Sequence, residues 1–196
     1  AADYLMSALV PASGGGEIGY IDGHMIPYWS KSVPMHKGKI TMLGRIMPGS
    51  NAVVAHNEDG HALYVEYYPP DMHMSHMIIE YCEKIVAMTG ITVFVIDREI
   101  NSVPMARAFK SREWGLLSML DRNEYKALSD WTTKFEGNLD DGSNVYSGEW
   151  NPPRPDDPRS FVIVEQEDGK LLPFWGTPEI RRKFSPMKWA ELYSQR

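Results

Sequence analysis

Asp22 sits in the largely apolar stretch Tyr20-Ile21-Asp22-Gly23-His24, and Asp97 closes the most apolar run of the chain, Val93-Phe94-Val95-Ile96-Asp97. An acid at the end of a buried strand caps the element that follows, marks the edge of a sheet, or does chemistry. Two such carboxylates brought together repel each other unless a cation lies between them. Hard oxygen donors with positions left for water and phosphate suit Mg²⁺. Phosphodiester chemistry with two such ions calls for a third carboxylate as well. Next to Asp22, His24 is either a phosphate contact or simply exposed. Beside Asp97, Arg98 is a partner for an acid or for a phosphate.

Other reactive side chains have plainer readings. His73 and His76 form an H-x-x-H pair with no third ligand at metal-site spacing, which favours polar residues at a helix entry. Asn101-Ser102 before Pro104 reads as a helix N-cap. Cys82 falls on the apolar face of a predicted helix, and the twelve methionines read as core filling. The aromatic stretch 131–135, Trp150 and Trp175 either stack on unpaired bases or pack the region that carries them.

The elements that must position the two aspartates are legible from periodicity. Ile18, Tyr20 and the run from His24 to Trp29 frame a first strand around Asp22 that ends near Pro27, Lys39–Met47 reads as a second, and Val53 is an apolar patch beyond a turn. Ala62–Tyr68 is a third strand, with Asn57-Glu58-Asp59-Gly60 as a hairpin turn. From Ser75 to Thr89, apolar residues recur at three- and four-residue steps, which predicts a helix capped by Ser75 and stopped by Gly90. Ile91–Ile96 then reads as a buried, parallel strand. A helix over Val103–Glu113 and a strand over Gly115–Leu120 follow. The predicted order β-β-β-α-β-α-β is an α/β fold with a mixed sheet. In that arrangement the first and fourth strands are normally neighbours, which would bring Asp22 and Asp97 to one edge.

Four segments are expected: a short helix and linker over 1–16, the core over 17–121, a β-rich insertion over 122–180, and a final helix opening within 181–196. Residues 136–168 carry nine acidic side chains against Arg154 and Arg159, and Pro152, Pro153, Pro155 and Pro158 exclude regular structure from their middle. Phe161–Val164 and Leu171–Trp175 read as a hairpin around Asp168-Gly169. Residues 181–196 reverse the sign, to a net +4. A helix opens at Ser185-Pro186 and meets no stop signal before Arg196, which predicts that the chain is a fragment of a longer protein.

Composition sets outer bounds. The 196 residues carry 20 basic and 26 acidic side chains, a net charge of −6, which argues against coating duplex DNA by charge alone. The hydrophobic share of 43% excludes wholesale disorder. A single cysteine excludes an intramolecular disulfide framework and fits a reducing compartment. With no spanning-length apolar run and no basic-then-apolar leader, the expected location is the cytoplasm, with the nucleoid if the cell is prokaryotic, and no membrane partner.

Three stretches carry a family resemblance. Asp22-Gly23-His24-Met25-Ile26-Pro27-Tyr28, Val95-Ile96-Asp97-Arg98-Glu99-Ile100-Asn101-Ser102 and the closing Ala190-Glu191-Leu192-Tyr193-Ser194-Gln195-Arg196 resemble the catalytic domain of DDE-type insertion-sequence transposases. The resemblance spans residues 17 to 196 and rests on the order and strand context of the motifs. It implies a ribonuclease-H-like fold, in some branches with a β-rich insertion before the last catalytic helix. It implies that Asp22 and Asp97 are the first two catalytic, metal-binding acids, with Mg²⁺ or Mn²⁺ as cofactor. His24, Arg98, Tyr193 and Arg196 would contact DNA. Tyr193 and Arg196 match the start of the family's Y-x2-R-x3-E-x6-K signature, whose glutamate would fall four residues after Arg196. The implied activity is cleavage of transposon ends and strand transfer, by a homodimer assembled on DNA, with the fragment itself inactive for want of that glutamate. The alternatives are a non-catalytic transposase-derived domain that binds DNA or protein, and an unrelated metal-dependent nuclease of ribonuclease-H-like fold.

Overall fold

A computed structural model describes residues 16–29, 37–40, 44–69, 71–121 and 131–194. The predicted helix at 3–9, the linker after it up to residue 15, the stretch 122–130 and Arg196 lie outside the described residues. The chain forms two compact units, Ala1–Ile91 and Thr92–Arg196.

The first unit is an antiparallel sheet with a helix packed on it. Its strands are β1 (Ile18–Pro27), β2 (Lys37–Ile40), β3 (Arg45–His56) and β4 (Ala62–Tyr68). β3 is the organising strand and pairs antiparallel with each of the others. Of the predicted strand over 39–47, residues 39 and 40 belong to β2 and residues 45 to 47 to β3, with Gly44 in a turn before β3 and residues 41–43 outside the described residues. Gly44 supplies the positive φ of 60° for that turn, and Val53 lies within β3 rather than beyond a turn. The hairpin at 57–60 forms as expected. The Asn57 carboxamide oxygen accepts from the backbone N–H of Asp59 at 3.1 Å and of His61 at 2.9 Å, and Gly60 takes φ 78°.

Helix α1 (Ile78–Thr89) presents Ile78, Tyr81, Cys82 and Ile85 to the core, the apolar spacing seen in the sequence. Gly90 ends it in the left-handed conformation, φ 75°, as expected. Ser75 does not cap it. That serine lies inside a separate 3-10 turn, Met74–His76, and the helix starts after Met77 with no side-chain cap. The Tyr81 hydroxyl reaches the Val53 carbonyl at 3.0 Å and the Tyr64 carbonyl at 2.8 Å, which ties the helix to β3 and β4. Burial pushes the Tyr81 hydroxyl far above its ordinary pKa, with neighbouring negative groups adding to the shift, so it stays a donor.

The second unit is a mixed sheet of order β5-β6-β10-β9-β8-β7. β5 (Val93–Ile96) and β6 (Gly115–Met119) are parallel and joined through helix α2 (Val103–Lys110). β7 (Trp131–Asn138), β8 (Asn144–Trp150), β9 (Ser160–Glu165) and β10 (Leu171–Gly176) continue it antiparallel, so the predicted hairpin at 161–175 is present as β9–β10. Phe94, Phe109 and Trp114 meet edge to face at centroid distances of 5.8 to 6.1 Å and hold α2 on β5. Thr177 follows the end of β10. Its hydroxyl accepts from the Leu116 N–H at 3.1 Å and donates to the Trp114 carbonyl at 3.0 Å. Helices α3 (Pro178–Lys183) and α4 (Pro186–Ser194) follow, and α4 buries Trp189 and Leu192. A β-carbon on Gly176 would stand 2.9 Å from the Leu116 carbonyl and 2.8 Å from the Trp189 ring, so only glycine permits this packing.

Candidate functional site

Both aspartates mark the point where a strand leaves the core. In β1, Ile18 to Ile21 are all buried and Asp22, Gly23 and His24 are exposed. In β5, Val93 to Ile96 are all buried and Asp97, half-buried, comes next. Each carboxylate is thus the first ionisable group after a four-residue buried run. A run buried residue after residue holds its end in a fixed place, while the acid beyond it keeps access to water and ligands.

The local surroundings differ. Asp22 stands opposite Val54 and His24 opposite Ala52 in the β1–β3 ladder, so both side chains lie on one face of β1 by the two-residue period of a strand. A β-carbon at Gly23 would meet the Met74 methyl group at 2.6 Å, so the residue between them admits no larger side chain without a shift of Met74. Asp97 lies in extended conformation, φ −62° and ψ 160°, at the head of a 3-10 turn, Arg98–Ile100. One carboxylate oxygen accepts from the Arg98 N–H at 2.7 Å. The capping reading of Asp97 is therefore present in the structure, and a cap need not exclude a ligand role, because a carboxylate carries about four acceptor positions.

The turn after Asp97 is tied at several points. Ile100 is buried, the Asn101 N–H donates to the Arg98 carbonyl at 3.0 Å, and the Ser102 hydroxyl accepts from the Met105 N–H at 3.2 Å to cap α2, as its sequence predicts. Sequence reasoning missed the next partner. Arg159, its side chain 2% exposed, donates from Nη1 to the Asn101 side-chain oxygen at 2.9 Å. The same guanidinium forms a bidentate pair with Asp157 at 2.9 Å and 2.8 Å, and Trp150 Nε1 donates to Asp157 at 3.2 Å. Burial raises the Asp157 pKa, but the Arg159 charge and these hydrogen bonds outweigh it and hold the carboxyl below its ordinary range. From α2, Arg107 Nε and Nη2 donate to the Asp156 carbonyl at 2.9 Å and 2.6 Å. The available signal was two arginines in an otherwise acidic, proline-rich stretch.

The remaining candidates scatter. Arg98 is exposed. Tyr193, half-buried on α4, packs its ring 5.0 Å from Phe174 and lines a cavity of about 670 Å³ with Leu139, Val164 and Met187, a cavity to which Asp97 does not contribute. Trp175 is fully buried, which removes it from base stacking, and Trp150 packs edge to face on Phe161 at 4.9 Å beneath the Arg154 guanidinium. Cys82 is buried, and desolvation pushes its thiol well above the ordinary range, as a core residue requires. The rings of His73 and His76 lie edge to face at 6.2 Å. Among the described residues, no group of three or more His, Cys, Asp or Glu side chains gathers to hold a metal ion. Taken singly, Asp22 and Asp97 each offer the hard carboxylate oxygens that Mg²⁺ takes.

The comparisons with known proteins bear on the fold. No family profile and no curated protein sequence matches the chain. Among solved structures, the chain resembles the piggyBac transposase in its synaptic complex with hairpin DNA, with a TM-score of 0.55 at 10% identity over 92% of this chain. It spans 38% of that transposase's length. A Marinitoga piezophila Argonaute bound to a 5′-OH guide RNA aligns with a TM-score of 0.29 at 11% identity, over 83% of this chain and 23% of that one. The fold is therefore transposase-like. Among the described residues, no helix is long and apolar enough to cross a membrane.

Proposed function

We propose that this chain is the ribonuclease-H-like catalytic region of a DDE-type DNA transposase, which cuts transposon ends and joins them to target DNA. The observation that carries the reading is the matched placement of Asp22 and Asp97, each directly after a four-residue buried run, in a chain of transposase-like fold. Asp22 and Asp97 supply two of the acidic ligands. Bound Mg²⁺ or Mn²⁺ would lower the pKa of a nucleophilic water and neutralise charge on the leaving oxygen. His24 and Arg98, each near one of the acids in sequence, contact phosphates. DNA is also met by the exposed Arg181, Arg182 and Lys183 of α3, of which Arg181 and Arg182 would exchange Glu149 and Glu179, now at 3.6 Å and 2.8 Å, for phosphates. Two such chains assembled on DNA would act together.

A second reading is a transposase-derived domain that binds DNA or protein without cutting. The hydrogen bond from the Arg98 N–H to Asp97 favours it, because a helix-cap role alone accounts for that acid. One experiment separates the two. The full-length protein that contains this chain is incubated with supercoiled DNA carrying its element's ends, with Mg²⁺ and with chelator. Metal-dependent cleavage that falls to background in Asp22→Ala and in Asp97→Ala, with both variants folded and still binding DNA, is the expected result. Cleavage unchanged in either variant overturns the catalytic reading.

A further inference from the structure

We infer that Arg159 and Asn101 are positioning residues, through which the loop between β8 and β9 sets the orientation of the Asp97 carboxylate. The inference rests on the reading of Asp97 as a metal ligand. Asp97 and Asn101 are the two ends of one short turn: Asp97 caps it through the Arg98 N–H, and Asn101 closes it by donating its own N–H to the Arg98 carbonyl. Holding one end of so short a turn restrains the other, because only three residues separate Asp97 from Asn101 and the Ile100 and Asn101 N–H groups both bond back across them, at 3.4 Å and 3.0 Å. The Asn101 end is held by Arg159 Nη1 at 2.9 Å, across 58 residues of sequence.

The anchor itself is rigid. Arg159 is gripped by Asp157 on two donors, and Asp157 is gripped by Trp150 Nε1 and by the Arg159 backbone N–H. Arg159 also lies 5.8 Å from the Phe161 and Trp175 ring centres, so its planar head is held by aromatic side chains as well as by hydrogen bonds. Arg107 provides a second tie between this loop and α2. Outer groups orient metal-binding side chains by hydrogen bonds; here the buried, bidentate Arg159 would act one step further out, through the turn that Asp97 caps.

The test uses the 196-residue chain with Mn²⁺ as the probe. Affinity is read by electron paramagnetic resonance, well below the melting point, with folding confirmed by circular dichroism. Asn101→Leu removes the acceptor at similar volume, and Asn101→Asp restores an acceptor to Arg159. Asp97→Ala should abolish saturable Mn²⁺ binding. Asn101→Leu should weaken it roughly tenfold or more, and Asn101→Asp should return it towards the parent value. Should Asn101→Leu fail to fold, Asn101→Ala, which leaves room for a water at the guanidinium, takes its place. Parent-like binding by the folded Asn101 variant alongside loss in Asp97→Ala overturns the positioning role and leaves the reading of Asp97 standing. Equal binding by the parent and Asp97→Ala, or none by the parent, overturns that reading and the inference with it.

Discussion

Asp22 and Asp97 follow the same kind of buried run and are held by different forces. Asp22 is one rung of a long ladder, in which β1 pairs with β3 from Tyr20 to Pro27, so its position is the product of many backbone hydrogen bonds. Its own side chain is exposed and contributes little to its placement. Asp97 ends a strand of four residues, and the segment after it depends on side chains: its own carboxylate, Asn101, Ser102 and, through Asn101, Arg159. A carboxylate set by strand register tolerates change around it. One set by a few side-chain hydrogen bonds fails when any of them is removed.

The largest effect that sharpens this contrast is expected at Arg159. Arg159→Ala leaves the buried Asp157 carboxylate without its counter-charge, and breaking a buried pair in this way costs about 3–5 kcal/mol of stability. Chemical denaturation of the parent and the variant measures it. The same pair predicts acid sensitivity. The folded Asp157 pKa is depressed, so its contribution is complete above the ordinary carboxylate range and disappears as pH falls through the lower, folded value. The acid midpoint should therefore move to higher pH in Asp157→Asn, which has no charge to lose and a weaker grip on Arg159. An unchanged acid midpoint would remove this pair from the account of what holds the second unit.

How much of this was open to sequence reasoning follows from the range of the interactions. The α1 face and the Gly90 stop were legible because both are encoded within a few residues, in 3.6-residue spacing and in a glycine with φ 75°. The Asn57–Gly60 hairpin was legible for the same reason. The β2–β3 turn was hidden inside Lys39–Met47, where apolar residues on both sides of Gly44 read as one strand. Ser75 carried a capping residue's chemistry, but the chain makes a separate 3-10 turn there before α1 begins. In the candidate site, the two aspartates stood out because a charge at the end of an apolar run breaks the pattern. The Arg159–Asn101 contact did not, since it links residues 58 apart and one partner lies beside a stretch whose prolines conceal any periodicity.

A smaller effect is expected in the first unit at Tyr81. Tyr81→Phe keeps the packing against Tyr64 at 5.1 Å and removes the hydroxyl that serves the Val53 and Tyr64 carbonyls. The loss should be about 1.5 kcal/mol, at the upper end for a buried neutral hydrogen bond. Because β3 holds β1 in register, Tyr81→Phe should leave Asp22 where it is while lowering the melting temperature. Loss of cleavage in a stably folded Tyr81→Phe variant would show that α1 acts on the site in some other way.

The smallest stability effects belong to the two carboxylates themselves, and they need not be equal. Asp97→Ala removes a cap from a single turn and should cost about 1 kcal/mol or less. Asp97→Asn keeps an acceptor for the Arg98 N–H and should cost less again. Asp22→Ala takes an exposed side chain from a strand whose pairing does not need it, so the change should stay within about 0.5 kcal/mol. Under the proposed function, both alanine variants nonetheless lose cleavage completely. Asp22→Ala is therefore the cleaner probe of chemistry: its melting curve should overlay the parent's while its activity is absent. A substantial drop in its melting temperature would mean that Asp22 is held by contacts that strand register does not explain, and the contrast between the two acids would fail.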